Sequence, residues 1–231
     1  MRPAPAASSV CWHCGAAAAG AHFCPACGKV QPLAPGAGAG YFAFFGLPEK
    51  LELDPAELEH HFLELSWKLH PDNFASAGER ERSLSLERAA ELNDAYRTLA
   101  DPVARVEYLL ASRGVRKEGE AKQQAPPELL EEVFELNESL EELRMARQAG
   151  GGGDEREALR RRLRAEGAKF EGKLAEVDAE LAAARRDWDA AVDDGAGNPG
   201  VLLARMNEIL NRRSYIRNLV ANVAAELAES A

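Results

Sequence analysis

The sequence predicts an all-α protein: a helical hairpin, then a three-helix bundle, with a small tetracysteine metal-binding segment in front of both. Three observations predict this. Ala, Leu, Glu and Arg dominate while aromatic residues are only 6% of the chain, a composition of packed helices rather than sheets. Apolar residues recur at helical spacing over long stretches. All four cysteines fall between residues 11 and 27 of the 231, which suits a metal clip in a reducing compartment better than a disulfide framework.

Gly, Pro and Ala punctuation then sets the boundaries. Residues 1–30 carry the cysteines, and 31–40 (QPLAPGAGAG) read as a flexible linker. A helical block spans 41–112, a polar connector 113–126, and a second helical block 127–231. The formal net charge of -10 argues against a nucleic-acid footprint, since polyphosphate would be repelled on average. No window approaches 18 consecutive apolar residues, so no membrane span is expected. The opening MRPAPAASSV lacks the apolar core of a secretory signal. A cytoplasmic location is expected, with the mitochondrial matrix as the alternative.

The cysteine segment reads CWHC-GAAAAGAHF-CPAC. Each C-x2-C pair is followed by a glycine, Gly15 or Gly28, which lets backbone amides turn toward the thiolates. Cys11, Cys14, Cys24 and Cys27 thus suit a tetrahedral, structural Zn2+ with no open coordination position. Redox and iron-sulfur roles are the alternatives, and His13 and His22 are nearby spare ligands.

In the first helical block, Asp54 is placed as an N-cap, Pro55 at the first helical position and Glu57 at the third. Leu58, Phe62, Leu65 and Leu69 then form one buried stripe. His70 precedes Pro71, so the helix should end there. A second helix is expected over about 79 to 99, with Ala89, Leu92, Tyr96 and Leu99 on its core face, and Asp101-Pro102 restarts a shorter one. The two longer helices should pack as an antiparallel hairpin with His70-Pro71-Asp72 at its loop.

In the second block, helices are expected over about 127 to 148, 154 to 193 and 199 to 228. The middle one repeats at sevens, through Leu163, Phe170, Val177 and Ala184, with Leu174, Leu181 and Trp188 beside them. The last carries Leu202, Met206, Ile209, Ile216, Val220, Val223 and Leu227. On the first, Leu129, Val133, Leu136, Leu140 and Leu143 are the core stripe. Leu130 and Phe134 lie off it, beside Glu131, Glu135, Glu138 and Glu142. They either widen the core face or form an apolar, acid-rimmed patch for a basic, apolar partner.

A His-Pro-Asp triplet can be an ordinary turn breaker. At the loop of a helical hairpin, after the hydrophobic lead-in YFAFFGLP, it resembles the J domain, the module that stimulates ATP hydrolysis by DnaK-class chaperones. That resemblance implies that His70, Pro71 and Asp72 contact the chaperone. The family often has lysine next, where this chain has Asn73, and the block over 41–112 holds 7 Lys+Arg against 14 Asp+Glu. Only Lys68, with His60 and His61, offers a basic face on the helix before the triplet, so chaperone docking by charge should be weak or rest on other residues such as Arg80, Arg82, Arg88 or Arg97.

YFAFFGLP, LHPDNFA, AELNDAYRTLADPVARVEYLL and LLEEVFELNESLEEL together resemble the HscB family, J-domain co-chaperones of iron-sulfur cluster assembly. The likeness covers about 41 to 148 and resumes at LNRRSYIRNLV; residues 150 to 200 fit no part of it. It implies an HscA-type chaperone and an IscU-type scaffold as partners. It also implies scaffold binding by Leu130, Phe134, Glu135, Glu138, Glu142 and Tyr215, with no reaction catalysed on this chain. A general J-domain protein with another client, or a zinc-ribbon helical adaptor, is the alternative.

Overall fold

The computed structural model describes residues 10–18, 20–32, 40–116, 126–149, 153–195 and 198–229. Most of the expected linker, part of the connector and the glycine-rich joints at 150–152 and 196–197 lie outside these residues. Seven α-helices occur among the described residues: α1 (Tyr41–Phe44), α2 (Pro55–Leu69), α3 (Glu79–Ala100), α4 (Pro102–Ser112), α5 (Leu130–Gln148), α6 (Gly153–Asp194) and α7 (Pro199–Glu229). The all-α class is as the composition predicts. The chain divides into two compact units, Met1–Ser112 and Arg113–Ala231.

In the first unit the helix ends follow from local chemistry. The Asp54 carboxylate accepts from the Ala56 amide at 2.8 Å, with Pro55 pre-set at the first helical position. Asp101 does the same for α4, accepting from the amides of Val103 and Ala104 at 2.8 Å each. Leu58 and Leu69 of α2, and Leu92 and Leu99 of α3, are fully covered. Phe62 and Tyr96 stack across the hairpin with ring centroids 4.2 Å apart. Arg105 of α4 is buried because its guanidinium donates to the carbonyls of Leu99 (2.6 Å) and Leu51 (2.5 Å). That pinning gives the DPVAR stretch a structural reason. Tyr108 accepts from the Tyr41 amide at 2.8 Å and stacks on the Tyr41 ring, tying α1 to α4.

In the second unit α5, α6 and α7 form the bundle. Leu163, Phe170, Val177, Leu181, Ala184 and Trp188 of α6 are buried, as the sevenfold spacing predicts. α7 differs from expectation. Leu203, Leu210 and Leu219 lie in the core with Met206, Ile209, Ile216 and Val223, whereas Leu202, Val220 and Leu227 are only half-buried. A helix packed on two neighbours buries a face wider than a single seam, and its centre shifts accordingly. Gly167 lets α6 and α7 approach closely: a Cβ there would sit 2.8 Å from Cγ1 of Val223.

Ion pairs set the level of α5 against α7. Arg212 meets Glu128, just before α5, and Arg144 meets Glu226, nearly buried, at 2.7 Å. The two helices therefore run in the same direction, with α6 antiparallel between them.

Candidate functional site

The His-Pro-Asp turn is held by backbone geometry on both sides. α2 ends at Leu69, and Pro71–Phe74 form one 3-10 turn. The Leu69 carbonyl accepts from the buried Ser85 hydroxyl of α3 at 2.8 Å. The Asn73 side-chain amide donates to the Trp67 carbonyl at 2.6 Å, closing the end of α2. His70 Nδ1 accepts weakly from the Asp72 amide at 3.3 Å and lies 3.6 Å from the Asp72 carboxylate. The Asp72 side chain is 90% exposed and that of His70 54%. A rigid turn with an open carboxylate and an accessible imidazole can bind a cationic partner at small entropic cost. Beside it, Leu63 and Trp67 are exposed on α2; the helical pattern had not singled them out.

On the bundle, Leu130 and Phe134 are 55% and 71% exposed, so they do not widen the core. Glu135 and Glu138 are exposed around them. Glu142 is half-buried and bound by Arg162 of α6 at 2.9 Å, which partly neutralises that end of the strip. Tyr215 is half-buried one turn after Arg212. Since Arg212 meets Glu128, Tyr215 stands level with Leu130. Ser139, within the ELNESL stretch, is buried and donates to Glu166 at 3.0 Å, so its role is structural.

The cysteines converge. Gly15 and Gly28 adopt positive φ (74° and 70°), and their amides donate to the carbonyls of Cys11 and Cys24, forming two matching knuckles. The four sulfurs all lie within 4.8 Å of one another, with Cys11–Cys27 at 3.6 Å and Cys14–Cys24 at 3.7 Å. A tetrahedron with metal–sulfur bonds of about 2.3 Å has edges of about 3.8 Å, so the set fits one metal ion. All four thiols are free of disulfides. Burial opposes ionisation of Cys11, but the Cys14 and His13 amides and the neighbouring thiols bring it down to about 6. At Cys27 the Lys29 amide favours the thiolate, yet burial and the other three thiols push it up to about 12. Sulfurs this close cannot all carry charge without a cation among them. His22 stands apart from the cluster, donating from Nε2 to the Phe44 carbonyl (2.8 Å) and accepting at Nδ1 from Arg88 (2.5 Å).

The cysteine segment is not decoupled from the helices, contrary to the expectation of a freely linked module. Lys29 reaches Glu81 at 2.6 Å, and Arg80 lies over the Trp12 ring at 4.6 Å. Neither contact leaves a periodic trace in the sequence.

A family model described as the HSCB C-terminal oligomerisation domain matches residues 125–194. It therefore takes in most of the 150 to 200 stretch that had fitted no part of the resemblance. Co-chaperone protein HscB homologs of Aliivibrio salmonicida and Vibrio vulnificus are 48% and 46% identical over 103 residues, 45% of this chain. These matches span 60% of each relative's length. The crystal structure of human co-chaperone protein HscB shares the fold, with a TM-score of 0.63 at 23% identity, over 94% of this chain and 98% of that one. Chaperone HscB from Vibrio cholerae gives a TM-score of 0.50 at 30% identity, over 83% of this chain and 99% of that one.

An all-α chain with an exposed His-Pro-Asp turn on one unit and a three-helix bundle as the other has the fold of these HscB structures. The chain belongs to the HscB family.

Proposed function

We propose that this chain is a co-chaperone of iron-sulfur cluster assembly. Its bundle holds an IscU-type scaffold, and its hairpin stimulates ATP hydrolysis by a DnaK/HscA-class chaperone. The observation that carries this reading is the open His70-Pro71-Asp72 turn, braced from behind by Ser85 and Asn73, in a member of this family. The chain contributes binding and positioning; the hydrolysis takes place on the chaperone, so this protein is not an enzyme.

The exposed Leu130 and Phe134 within an acidic rim support scaffold binding. A second copy of this chain would bring Glu131, Glu135 and Glu138 against their like, which disfavours self-association through that face. Tyr215, level with Leu130, extends the surface across α7. Cys11, Cys14, Cys24 and Cys27 would hold Zn2+ in a closed, structural shell. No described helix is long and apolar enough to cross a membrane, and a cytoplasmic location fits the reading.

The test is steady-state ATP hydrolysis by the chaperone with this chain and the scaffold, together and separately. Stimulation should be lost with His70→Gln while helicity is unchanged. Stimulation that survives the substitution removes the J-domain reading. Stimulation without scaffold binding leaves a J protein with a different client.

A further inference from the structure

The cysteine head has almost no core of its own. Apart from Val30 at its end, its buried apolar residues are Cys11, Ala18 and Cys24, with Ala16 and Cys27 packed against them. Three of those five are ligands of the candidate metal site, so the head has little to fold around once the metal is gone.

The side chains that join the head to the hairpin all ride on the ligand loops. Trp12 lies between Cys11 and Cys14, His22 two residues before Cys24, and Lys29 two residues after Cys27. Trp12 is fixed within the head by donating to the Val30 carbonyl at 2.6 Å. Their partners on α3 are Arg80, Glu81 and Arg88. Glu81 and Arg88 are only 5% and 6% exposed, so covering them is part of the fold.

Glu81, Ser85 and Arg88 follow one another at i, i+4 and i+7 on a single stripe of α3. Ser85, between the two residues gripped by the head, is the one that binds the Leu69 carbonyl next to His70.

We propose that metal loading of the cysteine head braces the first turns of α3 and, through Ser85, the His70-Pro71-Asp72 turn. The head is then a metal-dependent support for the hairpin. This inference rests on the metal reading above and adds a role for it.

The test compares the full chain loaded with Zn2+, stripped by a chelator, and reloaded, following zinc stoichiometry and hydrogen exchange together. Stripping should speed exchange about tenfold at residues 82 to 88 and at the Asn73 and Ala77 amides. The bundle helices should be unaffected, and Zn2+ should restore protection. Lys29→Ala, which leaves all four thiols in place, should retain zinc yet exchange faster in the same segment. Zinc release with unchanged exchange there overturns the brace alone. Failure to bind zinc overturns the metal reading and the brace with it. A Lys29→Ala protein indistinguishable from its parent overturns the route through Glu81.

Discussion

Changing Leu130 and Phe134 together to Ser should weaken scaffold binding by about 2 kcal/mol, roughly thirtyfold in Kd. Full burial of a Leu or Phe side chain is worth about 1.5–3 kcal/mol. With 71% of Phe134 and 55% of Leu130 still open, complete coverage by a partner would add about 2–4 kcal/mol between them, centred on ~3. Ordering costs about 0.5–1.5 kcal/mol per immobilised side chain, so at least about 1 kcal/mol for the pair, which leaves about 2 kcal/mol. The same openness means that the free protein should melt within about 0.5 kcal/mol of the parent. Calorimetric titration with an IscU-type scaffold, run beside thermal denaturation, reads both. Unchanged affinity refutes the assignment of this face. Weakened binding together with a lower melting temperature refutes the premise that the two side chains are idle in the free chain.

Gly167→Ala should destabilise the bundle by about 1 kcal/mol despite the helix propensity it gains, because its methyl meets the β-branched Val223. In a Val223→Ala background the same change should become neutral or stabilising, as a double-mutant cycle by chemical denaturation can show. Replacing Arg144 and Arg147 with Met removes two cations from the nearly buried Glu226 carboxylate. The expected loss is about 1–2 kcal/mol, since both arginines are partly solvated, and adding Glu226→Met should recover most of it.

What was legible in the sequence was local. Asp54-Pro55 and Asp101-Pro102 announce helix starts because capping needs only neighbouring residues, and both were found as expected. The cysteine knuckles were legible for the same reason. Leu130 and Phe134 were ambiguous, because a helical wheel shows which residues share a face but not how many helices cover it. The grip of the head on α3 was not legible. Lys29–Glu81 spans 52 residues and His22–Arg88 spans 66, and a contact at such distance follows no period. A spare histidine and a tryptophan inside the ligand loops, with no part in the metal shell, were the available signal.

That grip also changes what charge the hairpin has to offer a chaperone. Of the cations expected to serve docking, Arg88 is buried against the head, and Arg80 is committed to the Trp12 ring. Lys68 is paired with Glu64 and Arg97 with Asp94. Arg82 alone among them is exposed with no ion pair among the described residues. With 14 acidic side chains against 7 basic ones on this block, long-range attraction to an acidic chaperone surface is weak. Binding should instead depend on short-range contacts of the His-Pro-Asp turn and the neighbouring Leu63 and Trp67. The concentration giving half-maximal ATPase stimulation should therefore change less than about threefold between about 50 and about 200 mM salt. Trp67→Ala should raise it by more than Arg82→Ala does. A tenfold or steeper salt dependence would mean that the pairs named here open on docking and that electrostatics, not packing, guides this hairpin to its chaperone.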